Sequence, residues 1–352
     1  MDLASWCIDT LPNLYNPGLF DDEETTDEVW NAVQNEIALV TDEEELTEAL
    51  LDAAGDWFRQ QRELEIESLV PIDQAVLLNK PQTVQHSADW YSQRRNRLTA
   101  SEFHQVLTGS RERLLRSKVD PPVSDRTQNP VALAQSDGEM VATSWGHRFE
   151  PIVREIYELM YGVKVCDTLG RFIHRDYEWL SASPDGLVTE GPRMGRLVEI
   201  KAPKNRQPGT YVPAEYYSQM QIQMEVCDLE AVDFIEAQFI QGHVGTIEIS
   251  KISEGWCGQI NVYGILEDPA TWTYGYSRPV KHLADIVAPV SDKPLLESSL
   301  WALKSWSPRT VLRNSTWWDT IGRPEAETFW AEVLSRREST VETIQHVSWL
   351  GS

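Results

Sequence analysis

Cysteine is sparse: Cys7, Cys166, Cys227 and Cys257 are the only four in 352 residues, far apart and never in C-x-x-C spacing. A zinc knuckle or an iron–sulphur cluster needs grouped thiols, so neither is expected, and buried free thiols are the reading that remains. Also missing is any run of about 18 apolar residues, which excludes a transmembrane helix from expectation. No basic-then-apolar leader opens the chain, so we expect a protein that works inside a cell, in cytoplasm or nucleus, and is not secreted. Positive charge is scarce as well, with 31 Lys and Arg against 55 Asp and Glu and a net charge of −24. Affinity for nucleic acid normally rests on the opposite balance.

The distribution of charge changes that picture. Residues 1–70 hold 19 acids against Arg59 and Arg62, a net of −17, which leaves −7 on the rest. Between Arg94 and Lys118 there are seven basic residues against Glu102 and Glu112. The acidic segment has the composition of a solvated, disordered arm, a docking peptide or a mimic of DNA charge, the first being the default. Val29, Trp30, Val33, Ile37 and Leu39, then Leu46, Leu50 and Leu51, recur at roughly helical spacing, so part of it should be helical, as an accessory cap.

Hydrophobic content of 41% is ordinary for a globular chain of this length. A long loop is expected over 119–141, where Pro, Ser, Asp and Gln cluster, and strands over 232–239, 244–252 and 259–265. The chain therefore divides into an acidic, partly helical extension (1–84), a central α/β core (85–270) and a tail (271–352). That tail carries Trp272, Trp301, Trp306, Trp317, Trp318, Trp330 and Trp349 and a helix expected over 324–337. Tryptophans can stack on single-stranded bases, but in a folded chain they are more often core.

Most chemistry is concentrated between Ser181 and Lys201. Residues 181–188 and 196–202 read as two strands of a hairpin, separated by a turn that holds Gly191, Pro192 and Gly195. Side chains alternate along a strand, so Glu199 and Lys201 share one face and Val198 and Ile200 point to the other, into the core. With Asp185 at similar height on the neighbouring strand, two carboxylates could bind a hard cation such as Mg²⁺. A cation-bound water has a lowered pKa, and Lys201 beside it would orient it or stabilise negative charge on a phosphate. The bland alternative is a solvated edge with a Pro-Asp-Gly turn and a cross-strand ion pair.

Upstream, Thr99 and Glu102 form a capping-box pattern, so a helix should begin near Ala100 and run through Phe103, Val106 and Leu107 toward Gly109. Ser101 then lies in its first turn, near N–H groups suited to an anion, with Arg94, Arg95 and Arg97 just before it.

These motifs together resemble the phage lambda-type exonuclease and YqaJ-like viral recombinase family of the PD-(D/E)xK nuclease superfamily. The resemblance spans about residues 85–250. It rests on Trp90-Tyr91-Ser92-Gln93-Arg94, Leu98-Thr99-Ala100-Ser101-Glu102, Trp145-Gly146-His147-Arg148-Phe149-Glu150-Pro151, Ser183-Pro184-Asp185-Gly186-Leu187, Glu199-Ile200-Lys201 and the glutamine-bearing segment 217–224. It implies an α/β restriction-endonuclease-like core, a central mixed sheet flanked by helices, with extensions at both ends.

Carried over by position, Glu150, Asp185 and Glu199 become metal-associated acids, with Ile200 also at the metal. Lys201 becomes the catalytic lysine and Gln221 a helper near metal or substrate. Arg94 and Ser101, with Arg97, become holders of a DNA 5′ phosphate. Asp176 is either a further acid or a turn residue, and Glu150 could instead be a helix-start acid, with Pro151 beside it. The family further implies Mg²⁺, with Mn²⁺ as a substitute, and 5′-to-3′ hydrolysis of linear duplex DNA ends in recombination or repair. It also implies a ring-shaped homotrimer and a single-strand annealing protein as partner. An endonuclease, an RNA-directed nuclease or a non-catalytic DNA-end-binding module remain alternatives.

Overall fold

The computed structural model describes residues 3–69, 74–85, 87–120, 142–242 and 255–350. The loop expected over 119–141 and the strand expected over 244–252 lie almost wholly outside these residues.

The acidic N-terminal region is folded. Helices α1 (Leu3–Thr10), α2 (Glu23–Ala38) and α3 (Glu44–Ser68) enclose a core of their own around Trp6, Val33, Leu50 and Phe58. Leu39 and Leu46, counted in the helical pattern, are exposed. Acids are concentrated on solvent-facing positions and helix starts, where they suit the dipole; Asp22 caps α2 by accepting from the Thr25 N–H at 2.9 Å. The default of a disordered arm is therefore corrected: enough apolar residues fall on one stripe of each helix to close a small core despite the charge.

Arg62 fastens this unit to the rest of the chain. It donates to the Pro17 and Leu19 carbonyls, pairs with buried Asp21 and donates to the Thr310 carbonyl at 2.8 Å.

The main sheet has seven strands in the order β2 (Lys164–Cys166), β5 (Gly186–Glu190), β6 (Leu197–Lys201), β7 (Ala231–Gly242), β10 (Leu295–Leu312), β8 (Cys257–Ile265), β9 (Asp268–Tyr276). Its β6–β7 pair is parallel and the others are antiparallel. A small sheet joins β1 (Leu98–Thr99), β4 (Leu180–Ala182) and β3 (Phe172–Ile173). Short helices α4 (Ala75–Leu78), α5 (Ala88–Arg94), α6 (Ala100–Phe103) and α7 (Arg111–Val119) precede the long α8 (Ala142–Tyr161). Helix α9 (Ala214–Cys227) crosses from β6 to β7, and α10 (Ser315–Trp317) and α11 (Arg323–Leu350) close the chain.

Both faces of the sheet are covered. Val198 and Ile200 pack with Phe149, Ile152 and Ile156 of α8, whereas Leu197 and Phe234 pack with Met220, Ile222 and Met224 of α9. This mixed sheet flanked by helices is the expected α/β class, with Val198 and Ile200 facing the core as alternation requires.

Three boundaries differ from expectation. Residues 181–188 do not form one strand: Pro184 has no N–H for a ladder, so β4 ends at Ala182 in the small sheet and β5 starts at Gly186 in the large one. The boundary expected near residue 270 falls inside β9, and β10 runs between β7 and β8, so the tail completes the sheet. Trp301, Trp317, Trp318 and Trp330 are buried, as core tryptophans are. Finally, α6 is one turn, not a helix reaching Gly109. Among the described residues no helix is long and apolar enough to cross a membrane.

Candidate active site

The strand break at Pro184 positions Asp185 at the seam of the two sheets. Gly186 pairs with Val198 across the hairpin, so Asp185 lies level with the end of β6, and its Oδ2 accepts from the Ile200 N–H at 2.8 Å. Any side chain at 186 would drive its Cβ to 2.4 Å from Val165 Cγ1, so the glycine after Asp185 serves packing.

Glu199 is fully buried and pairs with Lys201 Nζ two residues on, on the same face of β6. Its Oε1 accepts from Gln219 Nε2 and its Oε2 from Gln223 Nε2, both at 2.7 Å. Residues 219 and 223 are one turn apart on α9 and share a face. Gln221, between them, points the other way: it donates to the Leu312 carbonyl at 2.9 Å and accepts from the Asn314 N–H at 2.8 Å. The helper role expected of Gln221 is thus corrected to a structural tie, and Gln219 and Gln223 are the glutamines at the acids.

Glu150 sits inside α8, with Pro151 in the helix interior, so the helix-start reading of that acid fails. It lines the same cavity as Asp185, Glu199 and Lys201, and His147 one turn earlier brings Nδ1 to 3.9 Å from its Oε2. Asp176 is exposed, beside Arg175 in a turn, and does not reach the cavity.

Electrostatics follow from this crowding. Burial, then the charges of Glu199 and Glu150, push the Asp185 carboxyl well above its ordinary value, against Lys201 and the Ile200 N–H. Burial opposes the Lys201 charge, but Glu199 and Asp185 outweigh it and hold the ammonium above the usual lysine value. Three carboxylates thus face one lysine, an excess of negative charge that a cation would relieve.

Among the described residues no group of three or more His, Cys, Asp or Glu is already gathered as a metal cage. The oxygens of Glu199 are held by Lys201 and two amides. The donors nonetheless fit a hard divalent ion, because Mg²⁺ is commonly bound through one or two carboxylates and keeps several waters. Asp185, Glu150 and Glu199 could supply those carboxylates.

The cavity, about 250 Å³, continues from the acids to a basic end lined by Trp90, Arg94, Ser101, Arg171 and Ser183. The capping box forms as read, and Glu102 also pairs with Arg94 at 3.2 Å and with buried Lys118 at 2.8 Å. With a single turn, α6 sums little dipole, so positive potential here comes from the arginines. Arg97 does not line the cavity; it is partly buried, and burial lowers its pKa against the charge of Glu178. Arg95 is also structural, donating to the Lys118 and Val119 carbonyls. In their place stands Arg171, which belongs to no recognisable motif and which nothing in the sequence singles out. An open cleft of about 720 Å³ adjoins the acids on the other side, lined by Lys204, Arg206 and Tyr216.

Residues 89–230 match the profile of the YqaJ-like viral recombinase domain. A curated relative, uncharacterized protein R354 of Acanthamoeba polyphaga mimivirus, is 26% identical over 184 residues, 46% of this chain and 31% of that protein. The chain thus spans under a third of that relative's length.

Among solved structures, the alkaline exonuclease LHK-Exo of Laribacter hongkongensis aligns with a TM-score of 0.45 at 18% identity, over 74% of this chain and 100% of that one. A phage-related exonuclease from Haemophilus somnus 129PT gives 0.39 at 9% identity, over 70% and 96%. The matched segment begins in α5 and ends just before β7, so it holds the acids and the arginines at the two ends of the cavity; α1–α3 and strands β7–β10 lie outside it.

Proposed function

We propose that this chain is a metal-dependent DNA exonuclease that hydrolyses linear duplex DNA from 5′ ends, acting in recombination. The observation that carries the reading is one cavity with an acid–lysine cluster at one end and arginines at the other. An anionic strand end can enter at the arginines while its phosphodiester lies at the carboxylates. Polarity follows the family resemblance, as does the use of Mg²⁺ or Mn²⁺.

A divalent cation held by Asp185, Glu150 and Glu199 would lower the pKa of a bound water and offset charge on the scissile phosphate. The chain's own groups do the rest. Gln219 and Gln223 lock Glu199, so its carboxylate needs no reorganisation. Glu199 and Asp185 keep Lys201 protonated, and its Nζ–H can donate to a phosphate oxygen or orient the attacking water. Lys204 and Arg206 in the open cleft would meet phosphates of the strand beyond the cut.

Linear duplex labelled at either end, and closed circular duplex, would be incubated with Mg²⁺ or chelator, using wild type and Lys201→Ala. Cation-dependent loss from 5′ ends, absent on circles and in the variant, is expected. Cutting of circles would replace the reading with an endonuclease, and hydrolysis of RNA alone would overturn the DNA assignment.

A further inference from the structure

A further buried carboxylate, Glu236, stands beside Lys201 but outside the acid cluster. Strand β7 runs parallel to β6 and pairs the two residues, so their side chains leave the sheet on one face. Glu236 is 0% exposed; its Oε1 pairs with Arg206, and its Oε2 is buried with no hydrogen-bond partner among the described residues. Two residues further along β7, on the same face, Gln238 Nε2 donates to the Arg206 carbonyl at 2.5 Å. One strand thus grips Arg206 by both its side chain and its backbone.

Stability does not account for this acid. Taking a carboxylate out of water is costly, a pair with a partly exposed arginine recovers little of that cost, and apolar residues of similar size commonly replace buried pairs without loss. Arg206, by contrast, has somewhere to act. Its side chain is 41% exposed and lines the open cleft with Lys204 and Tyr216, next to Asp185 and Lys201. The Tyr216 ring links the two cations: its centroid lies 5.0 Å from Lys201 Nζ and 5.8 Å from the Arg206 guanidinium carbon. Burial opposes the Arg206 charge, but the bond to Glu236 and its charge outweigh that and raise the pKa. Arg206 belongs to residues 202–213, which join β6 to α9 without strand or helix, so nothing regular in its own segment would fix a long side chain there.

We propose that Glu236 is a positioning residue: it holds Arg206 fixed in the open cleft, where the guanidinium grips the backbone phosphate that neighbours the one being cut. The proposal rests on the nuclease reading and deepens it, because it names what keeps the strand still relative to Lys201. The pair with Glu236 uses Nη2 of Arg206, so the other guanidinium donors remain for phosphate oxygens. The charge of Glu236 subtracts from the attraction of the cleft for a strand. What it supplies is geometry, not affinity.

That division can be measured on the full chain as wild type, Glu236→Gln, Glu236→Leu, Arg206→Gln and the double variant Glu236→Leu/Arg206→Gln. Nitrogen relaxation reads the order of the Arg206 side chain, anisotropy in chelator over a salt series reads duplex affinity, and single-turnover hydrolysis in Mg²⁺ at saturating linear duplex reads the rate. Glu236→Leu should free Arg206 and slow hydrolysis by roughly ten- to a hundredfold, as a misplaced group near the chemistry does, with affinity unchanged or higher. Glu236→Gln keeps an acceptor for Nη2 and should fall between. Arg206→Gln should lower the salt slope by about one, the mark of one lost phosphate contact, and adding Glu236→Leu to it should slow hydrolysis no further.

A rate per folded molecule that Glu236→Leu leaves intact, even with a lowered Tm, would show a structural tie and overturn the proposal. So would an Arg206 side chain equally ordered with and without Glu236, or an undiminished loss of rate from Glu236→Leu in the Arg206→Gln background. If wild type hydrolyses no DNA, the nuclease reading falls. An Arg206 that loosens in Glu236→Leu, with a salt slope that drops in Arg206→Gln, would then leave Glu236 holding a phosphate-binding arginine, and their absence would remove both.

Discussion

The two ends of the cavity are built on opposite plans. At the acid end, Asp185, Glu199 and Lys201 come from one hairpin: strand alternation aligns Glu199 with Lys201, and the Gly186–Val198 pairing brings Asp185 level with them. At the basic end, Trp90, Arg94, Ser101, Arg171 and Ser183 come from three segments that meet only in the folded chain. Both ends hold like charge with incomplete compensation: two amides and one lysine among three carboxylates, and at the other end Arg94 and Arg171 with Glu102, which Lys118 also shares. Each is held together by the surrounding scaffold, and each gains by binding an ion of the opposite sign. A cation at one end and a phosphate at the other is what that difference implies.

Breaking the acid end should have the largest effect. Lys201→Ala should slow single-turnover hydrolysis by roughly 10²- to 10³-fold, as loss of one preorganised donor does, with little change in strand-end binding. Retained hydrolysis would remove Lys201 from the chemistry. Next in size, Gln219→Ala or Gln223→Ala should lower activity or cation affinity by roughly 10- to 100-fold, the usual cost of freeing a metal-associated group. Gln221→Ala sharpens the contrast. It should destabilise the fold by about 1–3 kcal/mol, since the Asn314 N–H loses its acceptor, while activity per folded molecule stays near wild type.

The Asp185 shift makes a signed prediction about pH. Its folded pKa is raised, so the stability it permits is fully present below the unfolded value and is lost as pH rises through the folded one. Cation-free protein should therefore lose stability at neutral pH relative to mildly acidic solution, and added Mg²⁺ should restore it. Asp185→Asn should abolish hydrolysis yet raise the cation-free Tm at neutral pH by about 1–2 °C, the shift expected of a kilocalorie in a chain of this size. A Tm unchanged by pH, cation and substitution would contradict the burial of excess negative charge.

The unequal legibility of the two ends has the same cause. Asp185, Glu199 and Lys201 are readable because a period of two and a glycine turn place residues without tertiary information. Glu150 comes from resemblance, not periodicity. The choice of Gln221 over Gln219 and Gln223 fails because α9 is buried almost all round, so no polar stripe marks which glutamine faces the acids. Arg171 is invisible because an isolated arginine beside a two-residue strand reads as surface, and only the pairing with Thr83 carries it inside. The acidic region misleads through composition: charge is weighed over 70 residues, whereas folding depends on a few positions such as Val33, Ile37, Leu50 and Phe58.

A smaller effect on catalysis is expected from that region. Arg62→Ala leaves Asp21 buried without its partner and should cost about 3 kcal/mol, loosening α1–α3 from β10 as read by hydrogen exchange. Hydrolysis per folded molecule should change little, because α1–α3 line neither end of the cavity.

The most direct test is a crystal of the chain with Mn²⁺ and a 5′-phosphorylated duplex, located by anomalous scattering. We predict manganese at Asp185 with Glu150 or Glu199, and the strand end at the arginine end of the same cavity. Manganese elsewhere, or a strand end outside this cavity, would contradict it.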